Sequence, residues 1–189
     1  IKNFKSCVYT GSLYYGKGIE LILKIAKKLN SITFHIYGDL KTASKKTIID
    51  SKGVKNIKFF GFKEYSQIPK ILKSYKIILM PYMNTVYGSH KTMNIAKYMS
   101  PLKLFDYLAA GRVIIASKNA SYSHILKNKK NCLLCSEKNL NQWKNNINLS
   151  LAKSFNFKKI QLNSLKTAKV FSWDNRINKI IRFMGEINI

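Results

Sequence analysis

Residues 99–111 read MSPLKLFDYLAAG, and this stretch predicts a helix that ends in a tight turn. Pro101 suits the first helical turn, because the N–H that proline lacks would have no partner there. Ser100 just before it is a suitable N-cap. Leucine, phenylalanine and alanine then recur at helical spacing, and Gly111 stands where a left-handed residue ends a helix. A short β-branched segment at 113–116 follows, so the stretch predicts one helix–turn–strand unit.

Two charged side chains lie near the start of this predicted helix. Lys103 falls in the first turn, where the positive end of the helix dipole disfavours a cation unless an anion is bound nearby. Asp106 follows one turn later and is one of 8 acidic residues in the chain. From these residues two interpretations stay open: a core helix with one hydrogen-bonded aspartate, or one side of an anion-binding site.

Outward from this unit, short apolar strands alternate with helical segments. Strands are predicted at 7–10, 32–37, 57–60, 76–80, 113–116 and 132–135, and further helices at 19–29, 42–51, 66–74, 121–127 and 140–189, the last interrupted at 171–173. This alternation predicts an α/β fold, a Rossmann-like doubly wound parallel sheet of about six strands with helices on both faces. Such sheets bind ligands at the carboxyl ends of their strands. The turns at 11–18, 38–39 and 61–63 and the irregular stretch 82–103 are therefore candidate site segments.

The composition of the 189-residue chain is strongly basic, because 34 Lys and Arg against 8 Asp and Glu give a net charge of +26. Such a charge favours anionic partners, namely nucleotides, nucleic acids or an acidic membrane surface. The lysines are scattered, without the basic stripes and interleaved aromatic residues typical of nucleic-acid binders. We therefore predict no nucleic-acid partner and ascribe much of the charge to a lysine-rich composition.

The hydropathy pattern shows no stretch long and apolar enough to span a membrane, and no signal peptide at the start. We therefore predict a cytoplasmic protein that makes a peripheral contact with the inner face of the membrane through its basic surface. The chain starts without Met and enters a predicted strand almost at once, which we interpret as the beginning of a fragment of a longer protein.

The chain contains three cysteines, Cys7, Cys132 and Cys135, and this low, odd number fits a reducing compartment. Cys132 and Cys135 have the spacing of a metal or redox motif, but a metal site would need a second pair or nearby histidines. Because the pair lies in a predicted strand, its two side chains point to opposite faces. We predict core thiols and no metal site.

The turn after the first predicted strand resembles a phosphate-binding loop. Gly11, Gly16 and Lys17 match the loop of NTPases up to its last position, where Gly18 replaces the Ser or Thr that holds Mg²⁺. No predicted strand ends in the aspartate that would hold the metal from the other side, so we exclude an NTPase. Two interpretations remain: a lysine at a helix N-terminus that suits a diphosphate without metal, or a surface lysine in a loop.

Several segments together resemble the family 4 (group 1) glycosyltransferases, in the same order and over essentially the whole chain. The most specific is the run SPLKLFDYLAAG at 100–111. The weaker ones are GSLYYGKG at 11–18, YGD at 37–39, FGF at 60–62 and MPY at 80–82. The resemblance implies the C-terminal, donor-binding half of a two-domain GT-B fold. Residues 1–170 would bind the donor, and a helix at 171–189 would pack back toward the absent N-terminal acceptor domain.

The resemblance also implies which residues hold the donor diphosphate. Lys17 would contact it beside the turn that Gly11 opens. Ser12 stands where many members carry an arginine, and Lys103 would replace some of that missing charge. Backbone N–H groups near Ser100–Lys103 would hold phosphate oxygens, in a segment that includes Pro101 and Leu102.

Other positions would contact the nucleoside. Asp106 matches the second acid of the family's Glu-x7-Glu motif, usually a glutamate that accepts the ribose hydroxyls. The first acid of that motif falls on Tyr98 and is missing. Gly38 would let the nucleotide approach the second strand end, and Gly61 and Phe62 would present backbone groups to the base.

The family transfers a sugar from a nucleotide-sugar with retention, usually without a bound metal. The resemblance therefore implies a retaining hexosyltransferase of polysaccharide biosynthesis, with a UDP-, GDP- or other nucleotide-sugar as donor, a glycan or lipid-linked acceptor, and no metal or other cofactor. The isolated domain would bind donor without turnover. The alternative is a non-catalytic module that binds a nucleotide-sugar or nucleic acid, and Ser12 and Tyr98 also leave open a degenerate enzyme.

The same reasoning predicts where side chains should lie. We expect the ammonium groups of Lys17 and Lys103 to converge outside the strand ends, less than about 15 Å apart, so that they share one diphosphate. The irregular stretch 82–99 is expected to be poorly ordered without donor. Apolar residues of the last helix are expected to be partly exposed: Trp173, Ile177, Ile180, Ile181 and Phe183.

Overall fold

The computed structural model describes residues 3–87, 93–152 and 156–187, which form a six-stranded parallel sheet with helices on both faces. The strands are β1 (Asn3–Thr10), β2 (Thr33–Tyr37), β3 (Ile57–Phe59), β4 (Tyr75–Met80), β5 (Val113–Ser117) and β6 (Leu133–Cys135). The helices are α1 (Ile19–Lys28), α2 (Lys45–Lys52), α3 (Ile68–Lys73), α4 (Lys103–Ala109), α5 (Leu140–Leu151), α6 (Lys158–Val170) and α7 (Trp173–Ile187). The strand order β3-β2-β1-β4-β5-β6 confirms the predicted Rossmann-like doubly wound sheet.

Alternate residues of the central strands enter two different cores, because a strand points successive side chains to opposite faces. On β1, Cys7 and Tyr9 lie in the core that includes α1 and α5, whereas Val8 lies in the core that includes α3 and α4. Both faces are buried, so β4 and β5 are nearly continuous apolar runs, as expected of a parallel sheet. Each fully buried isoleucine or leucine contributes about 1.5–3 kcal/mol of transfer free energy.

Helix α4 begins later than the sequence predicts. Its first regular residue is Lys103, and the cap residue Leu102 has helical dihedral angles with no side-chain hydrogen bond. The N–H groups of Leu104 and Phe105 bond to the carbonyl groups of Pro101 and Leu102 at 2.9 and 3.0 Å, so a tight 3-10 turn starts the helix. The prediction that Ser100 is the N-cap is therefore wrong. At the other end Gly111 has φ 60°, the left-handed conformation predicted for it.

The prediction of a helix at 121–127 is also wrong, because the chain forms a 3-10 turn at Ala120–Tyr122 followed by irregular turns. The side chain of Asn131 takes over the backbone groups that a helix would pair. Its Oδ1 accepts from Lys127 N–H at 2.8 Å and its Nδ2 donates to the Ile125 carbonyl at 2.9 Å. The helix predicted at 42–51 begins later in the structure, because a 3-10 turn at Leu40–Thr42 precedes α2 and Ser44 caps α2.

The cysteines lie where the sequence predicts. Cys7 and Cys135 are buried in one core and Cys132 in the other, and all three are free. Desolvation raises the pKa of all three thiols, so they are protonated at neutral pH and behave as small apolar side chains.

Helix α7 leaves an apolar face uncovered within the described residues. The hydroxyl of Ser172 accepts from Asn175 N–H at 3.3 Å and caps the helix, as the sequence predicts. The predicted exposure is confirmed, because the side chains of the following residues are 49% to 71% exposed: Trp173, Ile177, Ile180, Ile181 and Phe183. Among the helices of the described part, none is long and apolar enough to cross a membrane.

Candidate functional site

The candidate site lies where the strand order reverses. Neighbouring β1 and β4 lead to crossovers on opposite sides of the sheet, so their carboxyl ends leave an open crevice between them. The turn after β1 brings Gly11 and Lys17 to this crevice, the segment after β4 brings Tyr82, and the start of α4 brings Lys103. All four positions come from the strand-end segments that the sequence singles out.

Two glycines let the turn after β1 pack against the segment after β4. Gly16 has φ 82°, and a Cβ atom there would lie 2.0 Å from the carbonyl oxygen of Thr85. Gly18 has φ 102°, and its Cβ would lie 2.1 Å from the carbonyl oxygen of Pro81. The N–H of Met83 donates to Gly16 at 2.9 Å and joins the two segments. The glycine spacing that resembles an NTPase loop thus serves close backbone packing.

Gly38 has a similar role at the end of β2. A Cβ atom on Gly38 would lie 2.2 Å from the carbonyl oxygen of Gly11, whose N–H donates to the Tyr37 carbonyl at 2.9 Å. The backbone of Gly11 is therefore held against β2. A direct contact of Gly38 with a nucleotide stays a prediction.

The two lysines converge as predicted. Lys17 Nζ lies 5.2 Å and Lys103 Nζ lies 5.3 Å from the centroid of the Tyr82 ring. The distance between the two ammonium groups therefore cannot exceed the sum of these values, which is well below the predicted limit of about 15 Å. Lys103 Nζ also donates to the hydroxyl of Tyr9 at 3.0 Å and lies 4.1 Å from the centroid of that ring.

The surroundings make this pair of cations electrostatically unsatisfied. Burial, followed by the nearby charge of Lys17, lowers the pKa of Lys103 to about 7, and burial also lowers the pKa of Lys17. No carboxylate of the described residues offsets these shifts. An anion in the crevice would favour the charged form of both side chains, so the arrangement suits a diphosphate.

Asp106 already has a protein partner. The Tyr65 hydroxyl donates to Asp106 Oδ1 at 2.7 Å, and this hydrogen bond, together with the carboxylate charge, raises the pKa of Tyr65. A carboxylate has about four lone-pair directions, so Asp106 can still accept hydroxyl groups of a ligand. The sequence does not single out Tyr65, because it follows a short strand in an irregular turn with no periodic signal.

Tyr107 fixes α4 to the end of β1, and the sequence analysis does not identify it as a site residue. Its buried hydroxyl accepts from Thr10 N–H at 3.0 Å and donates to the Thr10 carbonyl at 3.0 Å. Both backbone groups of the last β1 residue are thus satisfied by one side chain. The helical spacing places Tyr107 one turn after Lys103 on the buried face, which could have marked it as a site residue. Its partner Thr10, however, cannot be read from the sequence.

The positions assigned to base and phosphate contacts are exposed or half-buried. Gly61 has φ 69° with nothing within 4 Å of a Cβ atom built there, and Phe62 is 68% exposed. Ser100 and Leu102 are exposed and Pro101 is half-buried at the start of α4. Ser12 is half-buried, and its carbonyl accepts from the Tyr9 hydroxyl at 2.7 Å. Tyr98 is 81% exposed.

The irregular stretch after β4 is partly described. Tyr82, Val86 and Ala96 are buried, and Asn94 Oδ1 accepts from the N–H groups of Val86 and Ala96 at 3.0 and 3.1 Å. Residues 88–92 lie outside the described part, so the expected loss of order without donor stays a prediction. Within the described residues, no group of three or more His, Cys, Asp and Glu side chains could hold a metal ion.

Solved structures with the same fold are numerous. HepE from Anabaena in complex with UDP and glucose is 15% identical, with a TM-score of 0.76, and the match covers 98% of this chain and 49% of that one. TarM is 17% identical, with a TM-score of 0.74, over 96% of this chain and 35% of that one. The C-terminal domain of the group 1 glycosyl transferase LpcC from Francisella tularensis is 20% identical, with a TM-score of 0.65, and the match covers 90% of this chain and 87% of that one.

These coverages show that the chain spans about half or less of HepE and TarM, but nearly all of the separate LpcC domain. No curated protein sequence matches the chain. The model of the family "Glycosyl transferases group 1" matches residues 2–166. The match includes both lysines and every other residue of the candidate site, and the chain belongs to the group 1 glycosyl transferases.

Proposed function

We propose that this chain is the donor-binding part of a retaining glycosyltransferase, which transfers a hexose from a nucleotide-sugar to a glycan or lipid-linked acceptor in polysaccharide biosynthesis. The observation that carries the proposal is the convergence of Lys17 and Lys103 on the ring of Tyr82 at the switch point of the sheet. Family membership and the likeness to HepE, which was solved with UDP and with UDP-glucose, support it.

In this proposal the two lysines are the catalytic groups. Negative charge builds up on the diphosphate as the bond to the sugar breaks, and ammonium groups already placed beside it stabilise that charge. The backbone N–H groups of Ser100, Leu102 and Lys103, at the N-terminal end of α4, would add donors and the positive end of the helix dipole. We expect this arrangement to act without a metal ion, so that EDTA leaves donor binding unchanged.

The nucleoside would lie beside β3 and α4. Asp106 would accept the ribose hydroxyls, and the Tyr65 hydroxyl bonded to it would keep the carboxylate oriented. Gly61 and Phe62, at the end of β3, would present backbone groups to the base. UDP is the first donor nucleotide to test because it is the one named with HepE, and GDP is the second.

We also propose that residues 1–170 form the donor domain and that the helix at 171–189 packs against an N-terminal acceptor domain. The exposed apolar face of α7 supports this assignment, since a large apolar patch rimmed by polar residues marks an interface. The whole protein would work in the cytoplasm, and its net charge of +26 favours a peripheral contact with the anionic inner face of the membrane.

The direct test has two steps. A panel of UDP-, GDP- and ADP-sugars is screened for thermal stabilisation of this chain, because a ligand that binds only the native state raises the melting temperature. The full-length protein is then assayed for transfer with the stabilising donor, and NMR of the product reports whether the anomeric configuration is retained. If no nucleotide-sugar stabilises the chain, the proposal is wrong.

Ser12 and Tyr98, which replace charged residues of the family pattern, leave open a degenerate glycosyltransferase. A non-catalytic module that binds a nucleotide-sugar or nucleic acid is the second candidate, because the net charge of +26 favours anionic ligands. Binding of donor without turnover by the full-length protein would favour it. A nucleic-acid ligand would instead show affinity that falls linearly in log salt with a steep slope.

A further inference from the structure

We propose that Tyr9 is a positioning residue that holds the Lys103 ammonium group in place to receive the donor diphosphate. This inference rests on the proposed function, because it concerns the same site. Tyr9 precedes the family motif at 11–18 and is a strand residue that a sequence pattern assigns to the core.

The Tyr9 hydroxyl donates one hydrogen bond and accepts another. Its hydroxyl donates its single proton to the Ser12 carbonyl at 2.7 Å, so only lone pairs of the phenol oxygen are left for Lys103. Lys103 Nζ donates to that oxygen at 3.0 Å. Tyr9 is 1% exposed and is part of β1, so the packed core holds the acceptor oxygen in position.

The ring and the neighbouring glycine complete the seat for the ammonium group. Lys103 Nζ lies 4.1 Å from the Tyr9 ring centroid and 5.3 Å from that of Tyr82, where ring faces attract a cation. A Cβ atom at Gly11 would lie 2.6 Å from the same nitrogen, so the ammonium group occupies space that a side chain at position 11 would contest. The bond to Tyr9 uses one of the three ammonium protons, which leaves two for a ligand.

Among the described residues, the groups around the Lys103 ammonium nitrogen supply no negative charge to balance it. Lys17, from the turn before α1, adds like charge, whereas the phenols of Tyr9, Tyr82 and Tyr107 stay neutral because burial raises their pKa. Of the carboxylates on the adjoining helices, Asp106 on α4 accepts from Tyr65, and Glu20 on α1 accepts from Thr47 through Oε1 while its Oε2 is buried without a hydrogen-bond partner. Burial raises the pKa of Glu20, and neither carboxylate contributes to the pKa shift of Lys103. In the described part of the chain, the Tyr9 hydroxyl thus accepts a hydrogen bond from Lys103 and stabilises its charged form while the site is empty.

Removal of the Tyr9 hydroxyl should therefore weaken donor binding through Lys103. We expect Tyr9→Phe, which keeps the ring, to lower the affinity for the best-binding nucleotide-sugar of the UDP, GDP and ADP panel about tenfold. Tyr75→Phe is the matched control, because it also removes the hydroxyl of a buried tyrosine with side-chain partners, which here are His35 and Tyr37 and not a lysine. The control should bind like the wild type.

A double-mutant cycle separates positioning from a general structural effect. Lys103→Met removes the ammonium group, and adding Tyr9→Phe to it should lower affinity less than twofold further, because nothing is left to position. If Tyr9→Phe costs the same factor in both backgrounds, Tyr9 acts on the structure alone and the proposal is wrong.

The pH profile gives a readout that a structural role would not move. The diphosphate of a nucleotide-sugar is a diester without a proton that titrates near neutrality, so the profile reports the protein. Since the pKa of Lys103 is about 7, wild-type affinity should fall as the pH rises above that value. In Tyr9→Phe the charged form has lost its acceptor, so the decline should start at lower pH.

A ligand-free measurement separates failure of this inference from failure of the proposed function. Carbon and nitrogen NMR signals of the Lys103 side chain, assigned with Lys103→Met, should titrate at lower pH in Tyr9→Phe than in the wild type. If Tyr9→Phe does not fold, 3-fluorotyrosine at position 9 replaces it, because fluorine weakens the acceptor and keeps the ring. An unchanged titration overturns the role of Tyr9, whereas absence of nucleotide-sugar binding by the wild type overturns the proposed function.

Discussion

At the scale of single residues, the site is built from cations that have no carboxylate partner in the described part of the chain. Lys103 reaches across the strand ends to Tyr9 and shares the ring of Tyr82 with Lys17. Asp106 follows Lys103 by three residues on the same helix and accepts a hydrogen bond from Tyr65. We propose that different side chains recognise the phosphates and the ribose of the donor, so variants of each should have different effects.

Lys17→Ala should weaken binding of a nucleoside diphosphate at least about tenfold and leave binding of the nucleoside nearly unchanged, because a charge-assisted contact to phosphate is lost. Asp106→Ala should weaken both ligands by a similar factor, since both contain the ribose. Calorimetric titration measures both affinities. Lys24→Ala, an exposed lysine of α1, controls for the general loss of one charge. A similar loss for both ligands in Lys17→Ala would contradict the assignment.

Lys103 should also make the stability of the empty protein depend on pH. Its folded-state pKa of about 7 lies below the unfolded value of about 10.4. Between these values the unfolded chain binds more protons at this site, so the free energy of unfolding should rise as the pH rises from 7 to 9. Urea unfolding at several pH values measures this rise, which should be smaller in Lys103→Met. Parallel curves for the two proteins would show that Lys103 is not destabilised in the folded state.

At the scale of elements, the turn after β1 depends on glycines that touch the segment after β4. Gly16 and Gly18 contact Thr85 and Pro81 through backbone atoms, which cannot move aside as a side chain can. The same two segments present Lys17 and Tyr82. The packing of the turn after β1 against the segment after β4 therefore also places Lys17 beside Tyr82.

Gly16→Ala should lower the free energy of unfolding by at least about 2 kcal/mol, because it combines a left-handed φ with a backbone clash. Gly53→Ala is the control: Gly53 has φ −84° and nothing within 4 Å of a Cβ atom built there. The control should change stability by less than about 1 kcal/mol. Thermal or urea unfolding compares the two, and equal stabilities would show that the close approach of the two segments is not needed.

At the scale of the whole molecule, α7 is the element whose apolar face has no cover within the described residues. Its residues Ile177 and Ile181 are 49% and 61% exposed, unlike the fully buried isoleucines of β4 and β5. The domain assignment therefore predicts that these side chains matter to the full-length protein and hardly at all to the donor domain.

The double variant Ile177→Asn, Ile181→Asn should change the free energy of unfolding of this chain by less than about 1 kcal/mol, since surface substitutions have small effects. In the full-length protein it should lower both the melting temperature and the transfer rate, because it disrupts the proposed domain interface. Ile49→Asn on α2, where the side chain is 66% exposed, is the matched control and should change neither. Full activity of the double variant would contradict the proposed packing.

The sequence by itself determined the alternation of strands and helices, the parallel sheet, the turn at Gly111 and the burial of Cys132 and Cys135 in opposite cores. These features depend on periodicity over a few residues and on which side chains avoid water, so they can be read locally. The resemblance of the motif at 100–111 then indicated the family, which the match to residues 2–166 confirms.

Only the tertiary structure decided which distant residues meet. The bonds of Tyr9 to Lys103 and of Thr10 to Tyr107 join residues 94 and 97 positions apart, and they exist because β1 and β4 are neighbours in the sheet. The helix predicted at 121–127 is absent because Asn131, beyond the segment, pairs with its backbone. Such contacts depend on strand order and on the path of the chain, and no local pattern encodes them, since side-chain periodicity is independent of which strand lies alongside.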